Sequence, residues 1–164
     1  MNESELRAAF AAFVDGLVKN AIATELKGCT AQEIAALERV HDCELPLAYR
    51  LFLETMGHSA GRLFSHDHMA VTYNDVLSHN REALESVADD PAEPEFSLPA
   101  RSVVISSRLG EQFLYIVCDH PLDVPVHYVN HWDYRPQQCH ASILDWLRIW
   151  EEEAVEAITS GYYA

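Results

Sequence analysis

Residues 28–57 read GCTAQEIAALERVHDCELPLAYRLFLETMG and carry the clearest local structural signals in the chain. Thr30 and Glu33 have the spacing of a capping box, in which each side chain bonds the other residue's backbone amide at the start of a helix. Pro46 suits the first turn of a second helix, because an amide at that position has no intrahelical partner to lose. The predicted inner faces are Ile34, Leu37 and Val40 in the first helix, and Tyr49, Phe52, Leu53 and Met56 in the second, which ends at Gly57.

The flanking segments add helices on both sides of a group of strands. Apolar residues at helical spacing predict amphipathic helices over 4–25 (stopping by Gly28), 74–88 and 142–158. Runs rich in β-branched and aromatic residues predict strands over 102–106, 112–118 and 125–130, with shorter strands near 63–64 and 69–71. Segments 89–99 and 131–140 are predicted as loops. This order of elements indicates an α+β fold, with a mainly antiparallel sheet packed against N-terminal and C-terminal helices.

The inner faces of the flanking helices follow from the same spacing. The residues predicted to be buried are Leu6, Phe10, Phe13, Leu17 and Val18 in the first helix, Val76, Leu77, Leu84 and Val87 in the middle one, and Ile143, Leu147, Trp150, Ala154 and Ile158 in the last. Cys29 and Cys43 flank a helix and are predicted to pack as small apolar residues.

The motif in residues 28–57 resembles the SUKH superfamily. The resemblance rests on "E-I-x-x-L-E" at 33–38, "L-P-x-x-Y-R-x-F-L" at 45–53 and the closing Gly57. A strand "P-V-x-Y" at 125–128 and a helix opening at Ser142 are compatible with it. The resemblance covers residues 28–158, so we expect an N-terminal helix over 1–27 followed by one SUKH-like unit over 28–164.

The resemblance implies a function as well as a fold. The superfamily contains fungal cell-wall-assembly regulators and many bacterial immunity proteins. The latter bind a polymorphic toxin, often a nuclease, and block it without an active site of their own. Because the motif consists mainly of packing residues, it supports the fold more strongly than any activity.

The charge of the chain excludes one broad class of partner. Eleven basic and 26 acidic residues give a net charge of −15. A protein that binds nucleic acid or an anionic membrane needs a basic patch, so neither partner is expected. Acidity of this size is compatible with a cationic partner and equally with a role in solubility alone.

Other patterns bear on location. The longest apolar run, 8–14, is too short to span a membrane, and the N-terminus is acidic where a secretory signal is basic. These features predict a cytoplasmic protein with reduced cysteines.

The histidines raise the question of a metal site. His58, His66, Asp67 and His68 lie close in sequence and offer zinc ligands, although surface histidines are the commoner explanation. Cys139 and His140 are the pair to consider for nucleophilic chemistry. The sequence has neither a Gly-x-Ser-x-Gly elbow nor a P-loop. No metal, no cofactor and no catalytic residue is predicted.

Two segments have the composition of binding surfaces. The first is an acidic group with no basic residue between its members, formed by Glu82, Glu85, Asp89, Asp90, Glu93 and Glu95. The second is the aromatic loop with Trp132, Tyr134 and Arg135, residue types that are enriched at interface hot spots. A solvated helix face would account for the first, and packing of Trp132 against the last helix would account for the second. Two of Glu151, Glu152 and Glu153 are expected to face solvent.

The sequence therefore predicts a non-enzymatic immunity protein that binds a toxin domain. A scaffold or regulator with another protein partner is one alternative. A small metal-dependent hydrolase that uses the histidine-rich segment is another. The oligomeric state stays open.

Overall fold

The structure is a computed structural model that describes residues 1–86, 98–130 and 135–163, without the side chains of 80–86. Within these ranges the chain forms five helices and seven strands. The helices are α1 (Glu3–Lys19), α2 (Ala31–His41), α3 (Leu47–Met56), α4 (Tyr73–Ser86) and α5 (Ile143–Thr159). The strands are β1 (Leu26–Lys27), β2 (Ser59–Ala60), β3 (Met69–Ala70), β4 (Ser102–Arg108), β5 (Gln112–Val117), β6 (Val126–Asn130) and β7 (Gln137–His140).

The strands form two antiparallel sheets. The larger has the order β3-β4-β5-β6-β7, so each strand pairs with its neighbour in sequence. The smaller is a ribbon of β1 and β2. The predicted α+β class with an antiparallel sheet is confirmed. Among the described residues, no helix combines the length and apolar character that crossing a membrane requires.

The main core lies between one face of the large sheet and helices α1, α3 and α5. At its centre the Phe52 ring stacks on Tyr49 at 5.8 Å and meets Phe64 at 6.3 Å and Trp146 at 6.1 Å. A second cluster of Val104, Phe113, Tyr115 and Val129 occupies the opposite face. Helix α4 packs along β4, with Tyr73 and Val76 in the main core and His79 reaching Ser107.

The helix α1 is shorter than the sequence predicts. It ends at Lys19 rather than near residue 25, because Ala21 adopts a left-handed conformation with φ 57° and reverses the chain. The amide of Ile22 donates to Leu17 O at 2.9 Å and that of Ala21 to Val18 O at 3.2 Å, which is the Schellman arrangement. Ile22 is then buried, whereas Val18 lies outside the apolar stripe and is 64% exposed.

Other predictions are confirmed or corrected. The capping box at Thr30 and Glu33, the helix after Pro46, the hairpin β4–β5 and strand β6 form as predicted. The expected strand at 63–64 is wrong: both residues lie in turns and are buried against the helices. The expected loop at 131–140 contains a strand, β7, which has exposed residues but pairs with β6. Val40 and Leu77 are exposed rather than buried, because their neighbours Leu37 and Val76 occupy the inward positions.

Two helix starts depend on the loop between β5 and β6. Helix α3 has no side-chain cap, and its amides at Leu47 and Ala48 donate to Pro121 O and Leu122 O at 2.9 and 2.8 Å. Helix α5 has Ser142 as its N-cap, and the Ser142 side chain accepts from the amide of Asp145. Asp123 Oδ1 accepts from a second amide of the first turn, that of Ile143, at 2.8 Å. Burial nevertheless raises the pKa of Asp123 above its usual value. The loop between β5 and β6 thereby holds the N-terminal ends of both helices on the core face of the large sheet.

Candidate protein-binding site

The motif residues that suggest the family hold the helix pair α2–α3 together. Glu38 Oε1 accepts from the Leu45 amide and from Arg50 Nη2, both at 3.0 Å, which ties the end of α2 to α3. Gly28 passes so close to α3 that a Cβ there would overlap the carbonyl oxygen of Glu54. These contacts are structural, and they account for the spacing of the motif without requiring an activity.

The Glu38–Arg50 pair gives a prediction about stability. Arg50→Met should lower the free energy of unfolding by about 1–2 kcal/mol, because a charge-assisted bond is lost at a site that is only partly exposed. A double-mutant cycle with Glu38→Gln, followed by urea unfolding, should give a coupling energy of about 1 kcal/mol. The exposed Glu3–Arg7 pair is the control and should couple by about 0.3–0.5 kcal/mol. Equal coupling in the two pairs would contradict the structural role of Arg50.

A cavity of about 280 Å³ lies between the core face of the large sheet and helix α5. The cross-strand partners Leu114 and Tyr128 form its floor, and Trp150 lies on the helix side. Its full lining comprises Asp67, Met69, Arg108, Gln112, Leu114, Tyr128, His140, Ile149, Trp150 and Glu153. The apolar floor and charged rim are the features of a site that accepts a side chain from a partner.

The charges on the rim of this cavity are mutually paired. Arg108 Nε lies 3.0 Å from Asp67 Oδ1, which also accepts from the His68 amide at 2.8 Å. Burial raises the pKa of Asp67, but these two bonds outweigh it and the pKa lies below its usual value. His66 packs its ring on Trp150 at 5.3 Å and lies 3.5 Å from Glu153 Oε2. The rim thus presents one carboxylate held by hydrogen bonds, that of Asp67, and the exposed carboxylate of Glu153 beside aromatic surface.

His140 contributes a neutral polar group to the cavity. Its Nδ1 is buried and has no hydrogen-bond partner within the described ranges. Burial lowers the pKa of its ring against the opposing effect of Asp145 and Glu153. The described lining includes no serine or cysteine.

A larger hollow of about 640 Å³ lies beside the end of α2, but it is shallow. Glu38 and Glu44 on its wall already pair with Arg50, and Arg39 donates to its own helix at Ala35 O. Because this hollow is open and three of its charged groups are engaged within the helix pair, we place the candidate site at the cavity under α5.

The predicted binding residues fall mostly outside the described part of the chain. This holds for Trp132 and Tyr134, for Asp89, Asp90, Glu93 and Glu95, and for the side chains of Glu82 and Glu85. Arg135 is exposed and lies two residues before β7. The connection between β6 and β7 leaves from Asn130, two residues beyond Tyr128 in the cavity floor. On α5, Glu152 and Glu153 are exposed, as predicted.

The residues considered for chemistry are not brought together as their order in sequence suggests. His58 pairs with Glu33, His66 packs on Trp150 and Asp67 pairs with Arg108, so these residues do not form one site. The Cys139 thiol donates to Val126 O at 3.3 Å, and burial raises its pKa, which keeps it protonated. Cys139, which the sequence analysis considered together with His140, therefore shows no sign of activation as a nucleophile.

The structure instead assembles a group that sequence inspection missed, namely Cys29, Glu33 and His58. Their potential ligand atoms all lie within 4.8 Å of one another, and His58 Nε2 is 2.9 Å from Glu33 Oε1. The group lies beside the β1–β2 ribbon. The one sequence signal for this group is the spacing of Cys29 and Glu33, which lie four residues apart across the start of a helix. The third member, His58, lies 25 residues after Glu33, so the sequence alone does not connect it to them.

Comparison with known proteins identifies the family. The sequence profile of the SMI1 / KNR4 family (SUKH-1) matches residues 28–149. The chain therefore belongs to this family, which includes immunity proteins and is generally non-catalytic. No curated protein matches the chain significantly. The match begins at Gly28, so it excludes α1 and includes Glu38, Leu45 and Arg50, whose hydrogen bonds join α2 to α3.

Proposed function

We propose that this chain is a non-enzymatic cytoplasmic immunity protein that binds and neutralises a polymorphic toxin domain. The observation that carries the proposal is membership of the SMI1 / KNR4 family over residues 28–149, because proteins of this family act by binding other proteins. The net charge of −15 favours a basic partner such as a nuclease domain, since opposite charges accelerate association.

The contact surface we propose is centred on the cavity under α5. Its apolar floor and paired rim suit an inserted side chain, and its Tyr128 lies close in sequence to the β6–β7 connection. The residues proposed to bind the partner are Trp132, Tyr134 and Arg135, with Glu82, Glu85, Asp89, Asp90, Glu93 and Glu95 steering the approach. Aromatic and arginine side chains anchor interfaces, whereas exposed charges mainly set the rate of encounter.

The partner to test is a basic toxin domain, to be sought first in the reading frames next to this gene. Its association rate should fall at least about tenfold between 0.01 and 0.1 M salt, as the screening length shrinks from about 30 to about 10 Å. Glu93→Lys with Glu95→Lys should slow association further. Glu25→Lys with Glu111→Lys is the control, because it changes the net charge equally at two other exposed positions. Stopped-flow fluorescence measures these rates, and an association rate indifferent to salt would contradict the steering role.

Trp132→Ala should act on dissociation instead. If truncation of this hot-spot residue costs about 2 kcal/mol of binding free energy, dissociation becomes roughly 30-fold faster. Tyr162→Ala, which truncates a 61% exposed aromatic residue on the C-terminal segment, should leave the rate unchanged. Surface plasmon resonance separates the two rates.

The alternatives give different results. An immunity protein should rescue cells that express the toxin, and rescue should follow affinity across the variants. Binding of the neighbouring toxin domain without rescue would favour a scaffold or regulator. Hydrolysis of a substrate by the purified chain alone would overturn the proposal in favour of an enzyme.

A further inference from the structure

Three side chains of different chemistry converge at the start of helix α2. Cys29 precedes the helix, Glu33 lies in its first turn, and His58 follows α3. Their sulfur, oxygen and nitrogen atoms lie within 4.8 Å of one another. We propose that Cys29, Glu33 and His58 bind a Zn²⁺ ion, with water as the fourth ligand. This departs from the absence of a metal that the sequence predicts.

Backbone bonds fix the three positions before any ion is bound. The Cys29 amide donates to Leu53 O at 2.8 Å, and the His58 amide donates to Lys27 O at 2.8 Å. The Tyr73 hydroxyl donates to Glu33 O at 3.0 Å. A ligand set that is held in place loses less conformational entropy when the ion binds.

Gly57 allows the cysteine to reach this position. A Cβ at Gly57 would lie 2.5 Å from Cys29 Sγ, so only glycine leaves room for the sulfur. The closing glycine of the family motif therefore has a second consequence in this chain, which is to admit a thiol beside a carboxylate and an imidazole.

The two oxygens of Glu33 have separate tasks. Oε2 completes the capping box, at 2.8 Å from the Thr30 amide and 3.0 Å from the Thr30 hydroxyl. Oε1 faces His58 Nε2 at 2.9 Å. One oxygen can therefore bind a cation while the other continues to cap the helix. Zn²⁺ bond lengths of about 2.0–2.3 Å place tetrahedral ligands roughly 3.3–3.8 Å apart, so Oε1 and Nε2 need to separate by less than about 1 Å.

The chemistry of the donors selects zinc. Thiolate, imidazole and carboxylate are the ligands that Zn²⁺ takes in proteins, whereas Mg²⁺ and Ca²⁺ require oxygen. A divalent ion balances one thiolate and one carboxylate. The side chains of His58 and Glu33 are 22% and 33% exposed, which gives a water access to the fourth position.

The affinity should depend on pH. Zinc binds the thiolate form of Cys29 and so releases the thiol proton, and its binding should therefore strengthen as pH rises from 6 to 8 (roughly tenfold per unit for one released proton). Glu33, Tyr49, Tyr73 and His58 are titratable groups that face the thiol in the structure.

The test uses the full chain without a histidine tag, stripped with a chelator and titrated with Zn²⁺ against a chromophoric competitor. We expect one ion per chain with a dissociation constant at or below about 1 μM, and a rise in Tm with added zinc. Co²⁺ in place of Zn²⁺ should give a thiolate charge-transfer band and the strong visible bands of a tetrahedral site.

Paired variants assign the site. Cys29→Ser and His58→Gln should each weaken Zn²⁺ binding at least about 100-fold, because each removes a direct ligand. Cys139→Ser and His68→Gln are the controls, since both residues are exposed and lie outside the group. Binding that survives the first pair but is lost in the second would overturn the proposal. If the first pair fails to fold, the Co²⁺ spectrum of the unaltered chain decides, and a spectrum without the thiolate band overturns it.

Discussion

Phe52→Ala should lower the free energy of unfolding by about 3–5 kcal/mol, or Tm by roughly 10 °C. The Phe52 side chain is fully buried and contacts the rings of Tyr49, Phe64 and Trp146. Truncation removes these contacts and leaves a cavity between α3 and α5, and because the β5–β6 loop holds the starts of both helices, they cannot move freely to close it. Urea unfolding followed by tryptophan fluorescence measures the change.

The control for this experiment is Tyr162→Ala. This side chain is also aromatic but is 61% exposed, so its loss should cost less than about 1 kcal/mol. A Phe52→Ala effect no larger than that of the control would mean that the orientation of α3 is wrong.

Gly28→Ala should cost at least about 2–3 kcal/mol. The added methyl group would overlap the Glu54 carbonyl, and because that atom belongs to the α3 backbone it cannot rotate aside as a side chain would. The β1–β2 ribbon and α3 would have to separate. Thermal unfolding measured by circular dichroism reports the loss.

Gly110→Ala separates this clash from the general cost of replacing glycine. Nothing lies within 4 Å of a Cβ at Gly110, so its φ of 71° is the sole source of strain there, about 1–2 kcal/mol. If Gly28→Ala costs no more than this control, the close approach of Gly28 to α3 would be contradicted.

The parts of the fold that sequence predicts well are those with local signals. The α2–α3 pair is specified by a capping box, a proline in the first turn and a closing glycine, all within 30 residues. The β4–β5 hairpin follows from two apolar runs around a turn at Gly110. In both cases the residues that determine the structure are close in sequence to the elements they specify.

The parts that sequence misses depend on distant partners or on unusual residues. The end of α1 relies on Ala21 in a conformation that usually calls for glycine, so no pattern marks it. Strand β7 has mostly exposed residues and no apolar alternation, and pairing with β6 makes it a strand. His58 is nearer in sequence to His66 than to either Glu33 or Cys29, yet tertiary structure places it beside Glu33 and Cys29. The cavity under α5 likewise draws its lining from several elements.

Helix α1 lies outside the family match, yet Leu6, Phe10, Phe13 and Leu17 are part of the main core, and Asn20 Nδ2 bonds Glu151 Oε1 of α5 at 3.4 Å. This contact joins residues 131 positions apart. Because α1 packs on α3 as well as on α5, synthesis can cover part of its apolar face as soon as α3 has left the ribosome. The part that faces α5 stays uncovered until the last helix is released, about 100 residues of synthesis later.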